Sequence, residues 1–320
     1  MHLVRLIGLR VLGLVVSLLF ASLLIFLATS ALPGDIAQII LGTNAAPGEA
    51  EALREQFGLN RPFHVRYLEW LTGVVRGDFG TSMVSGKKVT DLIAPRLEVS
   101  FWLTTFGMLF SIVFAIPMGA YAAVRRRKAS GFSVSALSQV GLAVPSFWVG
   151  IWLVIIFAVN LRWLPAGGYV APSKSISGWI QHLVLPVTSL ALVQASLLSR
   201  YVRGAVIEVL EEDWFRTARS IGASRVRALL RHGARNVAMN LLTIIGLQLA
   251  TVLVGAIIIE QVFAMQGLGS RLLQAVSQRD FVVVQGVVLL LVAAVLIINF
   301  LVDLTHQALD PRVRRMQETA

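Results

Sequence analysis

A dense run of charged and aromatic side chains lies between residues 211 and 232. It begins Glu211-Glu212-Asp213-Trp214-Phe215-Arg216-Thr217-Ala218-Arg219-Ser220-Ile221-Gly222 and runs on through Ala223-Ser224-Arg225 to Arg231-His232. Its types and spacing suit docking. Trp214, Ala218 and Ile221 share one helical face at i, i+4 and i+7, and the acids lead, where the helix dipole favours negative charge. Ser224 can cap a second short helix. Glycine at 222 can take the left-handed conformation that ends one helix and starts another. Physics alone leaves two placements open: a small helix projecting into water as a docking element, or an amphipathic segment lying on a membrane surface, held by its arginines.

Catalytic chemistry is harder to find. The nearest approach to a nucleotide-binding P-loop, Gly80 to Gly86-Lys87-Lys88, has the wrong spacing and lacks the hydroxyl residue after lysine. The five histidines, His2, His64, His182, His232 and His306, are scattered without a His-Glu-x-x-His pair, so neither a metal site nor a metalloprotease is expected. His182 has no Gly-x-Ser-x-Gly element to serve as the nucleophile of a serine hydrolase. With no cysteine, disulfides and thiolate metal sites are excluded. No catalytic residue is predicted.

The elements that must carry the docking segment are apolar. Of 320 residues 56% are hydrophobic and 14% charged, where soluble domains carry roughly 25% charged residues. Six stretches lack Asp, Glu, Lys and Arg: Val11–Gly34, Val99–Val124, Ala129–Leu161, Ser175–Ser199, Asn236–Ile259 and Phe281–Val302. Each is long enough to cross a bilayer as a helix, which takes about 20 residues. The expected fold is an all-α integral membrane protein with six transmembrane helices. A cleaved secretory signal is the alternative for the first block, because Arg5 and Arg10 precede it and Ala28-Thr29-Ser30-Ala31 is a small-residue run. The apolar run Val11–Leu27 exceeds the ~7–15 residues of a signal core, and five further blocks follow.

The net charge of +11 does not point to nucleic acid, since the arginines flank the apolar blocks, where anionic headgroups act on them. One side collects seventeen cations: Arg5 and Arg10, the run Arg125 to Lys128, eight arginines from Arg200 to Arg235, and Arg312, Arg314 and Arg315. The positive-inside rule then makes both termini cytoplasmic. The resulting plan is an N-terminal tail and first helix over 1–34 and an external segment over 35–98. A five-helix core follows over 99–306, with a cytoplasmic loop at 203–235, and a cytoplasmic tail over 307–320. The external segment carries a helix near Glu49–Phe57 and apolar anchors at Tyr67, Trp70 and Phe79, so it reads as an ordered cap.

With no charge inside the spans, a proton-coupled carrier or ion pump lacks its usual coupling site. Glu260 and Asp303 sit at span ends, where they are expected to reach water. The candidates for a substrate path are Gln139, Ser146, Gln194, Gln248 and Glu260. For the three amides the competing reading is a hydrogen bond to a neighbouring helix or to a partner subunit.

The order Arg216-Thr217-Ala218-Arg219-Ser220-Ile221-Gly222 resembles the cytoplasmic loop by which importer permeases of the ATP-binding-cassette (ABC) type engage their ATPase subunits. The resemblance extends over nearly the whole chain and narrows to the dipeptide, oligopeptide and nickel branch. It is carried by Pro33-Gly34-Asp35, Gly58-Leu59-Asn60-Arg61-Pro62, Arg66-Tyr67 and Gly77-Asp78-Phe79-Gly80-Thr81-Ser82. Further along stand Pro145-Ser146-Phe147-Trp148, Leu164-Pro165-Ala166-Gly167, His182-Leu183-Val184-Leu185-Pro186, Gly267-Leu268-Gly269, Arg279-Asp280 and Asp310-Pro311-Arg312. Asn240 and Gln266 depart from the family pattern, each standing where proline is common.

The resemblance implies a type I importer permease fold in a bacterial inner membrane. It implies a homologous second permease, two cytoplasmic ATPases that bind ATP and magnesium, and an external solute-binding protein as partners. The cargo would be a dipeptide or oligopeptide, with glutathione or a nickel chelate as alternatives. Trp214, Phe215, Arg216, Thr217, Ala218, Arg219, Ile221 and Gly222 would form the ATPase-coupling element, with Trp214, Phe215, Ala218 and Ile221 as docking contacts and Arg216 and Arg219 as a charged rim. A self-contained channel or secondary carrier is the rival of another class.

Overall fold

A computed structural model describes residues 2–31, 48–56, 58 and 60–309. The motifs Pro33-Gly34-Asp35 and Asp310-Pro311-Arg312, with Phe57 and Leu59, lie outside the described residues. In order, the helices are α1 (His2–Ser30), α2 (Glu49–Gln56), α3 (Phe63–Val75), α4 (Val89–Val124), α5 (Ala129–Ala143) and α6 (Ser146–Leu153), which continues as wider π-type turns over Val154–Asn160. Then come α7 (Ile176–Glu211), α8 (Asp213–Ser220), α9 (Arg225–Ala228) with π-type turns over Leu229–Gly233, α10 (Ala234–Val262), α11 (Leu268–Ser277) and α12 (Phe281–Leu309). Five of these are long and apolar enough to cross a membrane, and the bent pair α5–α6 makes a sixth if counted as one span. This is the expected all-helical architecture, in which every spanning segment pairs its own backbone groups.

The third block is the exception to straight spans. Ala129–Leu161 is not one helix: α5 and α6 meet at 97°. Proline at 145 dictates the break, because its ring pushes the preceding residue out of the helical region, and Val144 is extended at φ −92°, ψ 122°. Pro145 then opens α6 with its own φ at −63°.

The chain divides into two compact units. The first comprises residues 1–98 and 267–297. Its core is built from Val89, Ile93, Leu268, Ala275, Val283 and Val287. Within it α3 is tied to α1 by aromatic packing. Phe26 of α1 meets the rings of Phe63, Tyr67 and Trp70 of α3 at 5.2, 5.6 and 5.6 Å. Ser22 and the Tyr67 hydroxyl share a hydrogen bond of 2.9 Å. The helices α3 and α11 were not foreseen. Much of the rest of α1 is bare, with Leu12 58% and Phe20 61% exposed, as befits a helix that is apolar all round and faces lipid.

The second unit comprises residues 99–266 and 298–320. Its centre is α7, whose buried face runs from Leu183 to Val209. Pro186 lies inside α7, and the Ser189 hydroxyl donates to the Pro186 carbonyl oxygen at 2.8 Å. One end of the unit packs Leu190, Val252, Ile259 and Phe263 together. The other packs Leu198, Val202, Val206 and Val209 against Val237 and Leu241.

Candidate functional site

The segment from Glu211 onward is built onto the end of α7. Glu212 adopts an extended conformation (φ −65°, ψ 143°) that stops α7 and starts α8. Asp213 then sits in the first turn of α8 and Arg219 in the last, both complementing the helix dipole. Phe215 and Ala218 turn inward, 5% and 9% exposed, into the cluster of Val202, Val206, Val209, Ala228 and Leu229. Trp214 packs partly against the same cluster, its ring 5.9 Å from that of Phe215.

Gly222 takes φ +93°, the left-handed conformation expected of it. The Gly222 N–H donates to the Arg219 carbonyl at 3.1 Å, and the Ala223 N–H reaches back to the Ala218 carbonyl at 3.1 Å. These two bonds form a Schellman motif, which satisfies carbonyls that the helix end would otherwise leave open. The Arg219 guanidinium donates to the Ala223 carbonyl at 2.9 Å. Ser224 caps α9 as predicted, accepting from the Arg227 N–H at 3.2 Å. The two short helices thus join through a hydrogen-bonded turn around a single glycine.

The expected face of Trp214, Ala218 and Ile221 is split. Helix α8 stops at Ser220, and the turn at Gly222 swings Ile221 out to 81% exposure. Phe215 and Ala218 are instead buried and anchor α8 to the core of the second unit. The residues left outward are Arg216, Thr217, Arg219, Ser220 and Ile221, with Gly222 itself exposed. The sequence pattern missed this because helical periodicity continues past a helix end that only the backbone reveals.

The substrate-path candidates are not brought together. Gln139 is exposed and borders a cavity of about 30 Å3 beside Ser138, Ser199 and Arg203, whose lining includes none of the other four. Ser146 is half-buried at the start of α6. Gln194 is buried in α7. Gln248 is 4% exposed in α10, and neither its amide nitrogen nor its oxygen has a hydrogen-bond partner among the described residues.

Glu260 corrects two expectations. It does not reach water but is 1% exposed, and its Oε1 accepts from the Ser100 hydroxyl at 2.5 Å. A carboxyl group therefore lies inside the packed second unit, although the charge-free blocks implied none. In the first unit Asp280 is fully buried, and its Oδ2 accepts from the Ser82 hydroxyl at 2.5 Å. Arg271 is likewise buried, 6% exposed on α11. Nothing in the local sequence signals these pairings, since Ser82 and Asp280 stand 198 residues apart. Among the described residues, no group of three His, Cys, Asp or Glu side chains could hold a metal ion.

Residues 115–315 match the family described as "Binding-protein-dependent transport system inner membrane component", and residues 3–104 match its N-terminal region. The chain belongs to this family. A glutathione transport system permease protein of Salmonella typhi is 38% identical over 305 residues, covering 95% of this chain and 97% of the relative. A putative peptide transport system permease protein of Brucella abortus is 39% identical over 297 residues, covering 93% and 95%. An inward-facing form of the MetNI methionine ABC transporter shares the fold, with a TM-score of 0.55 at 18% identity over 68% of this permease and 96% of that chain. The protein is thus an ABC-type permease of the inner-membrane component family, and its spanning helices are those of a membrane subunit.

Proposed function

We propose that this permease forms half of the translocation path of a small-peptide importer, alongside a homologous second permease. Cargo arrives from an external solute-binding protein, and two cytoplasmic ATPases, holding ATP and magnesium, supply the energy. The peptide class is supported by the relatives, which include peptide and glutathione transport permeases, glutathione being itself a tripeptide. The cation-rich loops and both termini lie in the cytoplasm, in keeping with the positive-inside rule.

The observation that carries the coupling role is the geometry around Gly222. One face of α8 is locked into the core by Phe215 and Ala218, while Arg216, Arg219 and Ile221 point away from it. Such a helix moves only with the end of α7. An ATPase gripping its outer face therefore acts on the spanning helix directly and shifts the balance between inward-open and outward-open packings. The Gln139, Ser146, Gln194, Gln248 and Glu260 side chains are assigned to the path or its walls in this cycle.

The test is reconstitution into vesicles with and without the partner permease and ATPases, followed by uptake of labelled tripeptide. Uptake that requires the ATPases, ATP and the binding protein is the expected result. Flux through the permease alone would make it a channel or secondary carrier.

A further inference from the structure

We propose that the groove between residues 125–128 and helix α8 binds the phosphate of an anionic phospholipid headgroup. The groove encloses about 580 Å3 and is lined by the run Arg125-Arg126-Arg127-Lys128 on one side and by Arg216, Arg219 and Arg225 on the other. No acidic side chain lines it. Two carboxylates reach these cations from outside: Glu211 pairs with Arg126 at 2.7 Å, and Asp213 stands 3.7 Å from Arg216. Arg125, Arg127, Lys128, Arg219 and Arg225 have no carboxylate partner within 4 Å among the described residues. Arg125 instead lies over the Tyr121 ring at 5.1 Å. Seven cations around one cavity repel one another and create a positive potential that an anion relieves.

The remaining lining decides which anion. Val124, Leu210 and Phe215 give the groove an apolar floor. Val124 is also the last residue of the spanning helix α4, so the cations that follow it stand at the level of the headgroups. A free phosphate gains nothing from an apolar floor. A phospholipid brings a phosphate for the rim and glycerol and first methylenes for the floor, and its retained charge at neutral pH requires phosphatidylglycerol or a relative rather than a zwitterion. A lipid held there bridges the 125–128 turn to α8, so the setting of the docking helix becomes sensitive to the lipids beneath it. This inference needs only the spanning assignment and does not depend on the cargo.

The experiment is native mass spectrometry of the full complex, with its partner subunits, extracted from mixed phosphatidylcholine and phosphatidylglycerol vesicles. The wild type is expected to retain phosphatidylglycerol, and each of Arg125→Gln, Arg127→Gln and Lys128→Gln to reduce occupancy about fivefold, the worth of one surface cation. Arg127→Lys, which keeps the charge, should retain it. The single variants keep the fold in hand, checked by elution volume. Unchanged retention in all three variants overturns the proposal. So does displacement by inorganic phosphate as readily as by lipid, which marks a free-anion site, and so does loss of the ATPases with the lipid retained, which assigns the cations to a protein interface.

Discussion

Ser100 of α4 and Glu260 of α10, 160 residues apart, are joined by a 2.5 Å hydrogen bond in the core of the second unit. Removing a partner of a buried carboxyl group leaves a desolvated acceptor, at a cost of about 1–3 kcal/mol. Ser100→Ala should therefore lower the thermal midpoint of the purified permease, whereas Glu260→Gln, which still accepts from the hydroxyl, should lower it less. Equal midpoints for wild type and Ser100→Ala would show that the bond holds nothing.

Gln248 gives the opposite prediction. Its buried amide has no hydrogen-bond partner among the described residues, so an apolar residue of similar shape removes a penalty and creates little void. Gln248→Met is expected to raise stability by about 1 kcal/mol or more. A lower midpoint would mean that the amide makes a stabilising hydrogen bond in the assembled membrane protein.

The spans were legible in the sequence because charge-free blocks of this length have few other uses. The turn between α8 and α9 was legible too, since Gly222 and Ser224 act through their own backbone neighbours. What escaped the sequence was long-range: the burial of Glu260 and Asp280 depends on hydroxyls of Ser100 and Ser82 far along the chain. The break in the third block was written locally in Val144-Pro145, yet an uninterrupted apolar run concealed it. The inward turn of Phe215 and outward swing of Ile221 were not legible, because both depend on where α8 ends rather than on spacing within it.

That division of labour on α8 makes two residues behave differently. Phe215→Ala empties a buried site in the Val202–Leu229 cluster and should cost about 3–5 kcal/mol of stability. Ile221→Asp alters a side chain that is 81% exposed and should leave the melting temperature within about a degree or two while weakening ATPase retention. If Ile221→Asp copurifies with its ATPases as well as the wild type does, the outer face of α8 is not the docking surface.

The central claim is that α8 and the turn at Gly222 pass ATPase motion to the spanning helices. Gly222 sits at φ +93° with open space where a Cβ would stand, so any effect of substitution there comes from the backbone alone. A β-branched residue is strained in that conformation by about 1–2 kcal/mol, enough to redirect a two-helix turn without unfolding the protein. The deciding measurement is peptide uptake and ATPase copurification for the Gly222→Val complex, with Gly222→Asn, which tolerates the left-handed region, as the control. Normal insertion with uptake and ATPase retention lost in Gly222→Val and kept in Gly222→Asn is the predicted result; a Gly222→Val complex that assembles normally and transports at the wild-type rate would contradict it.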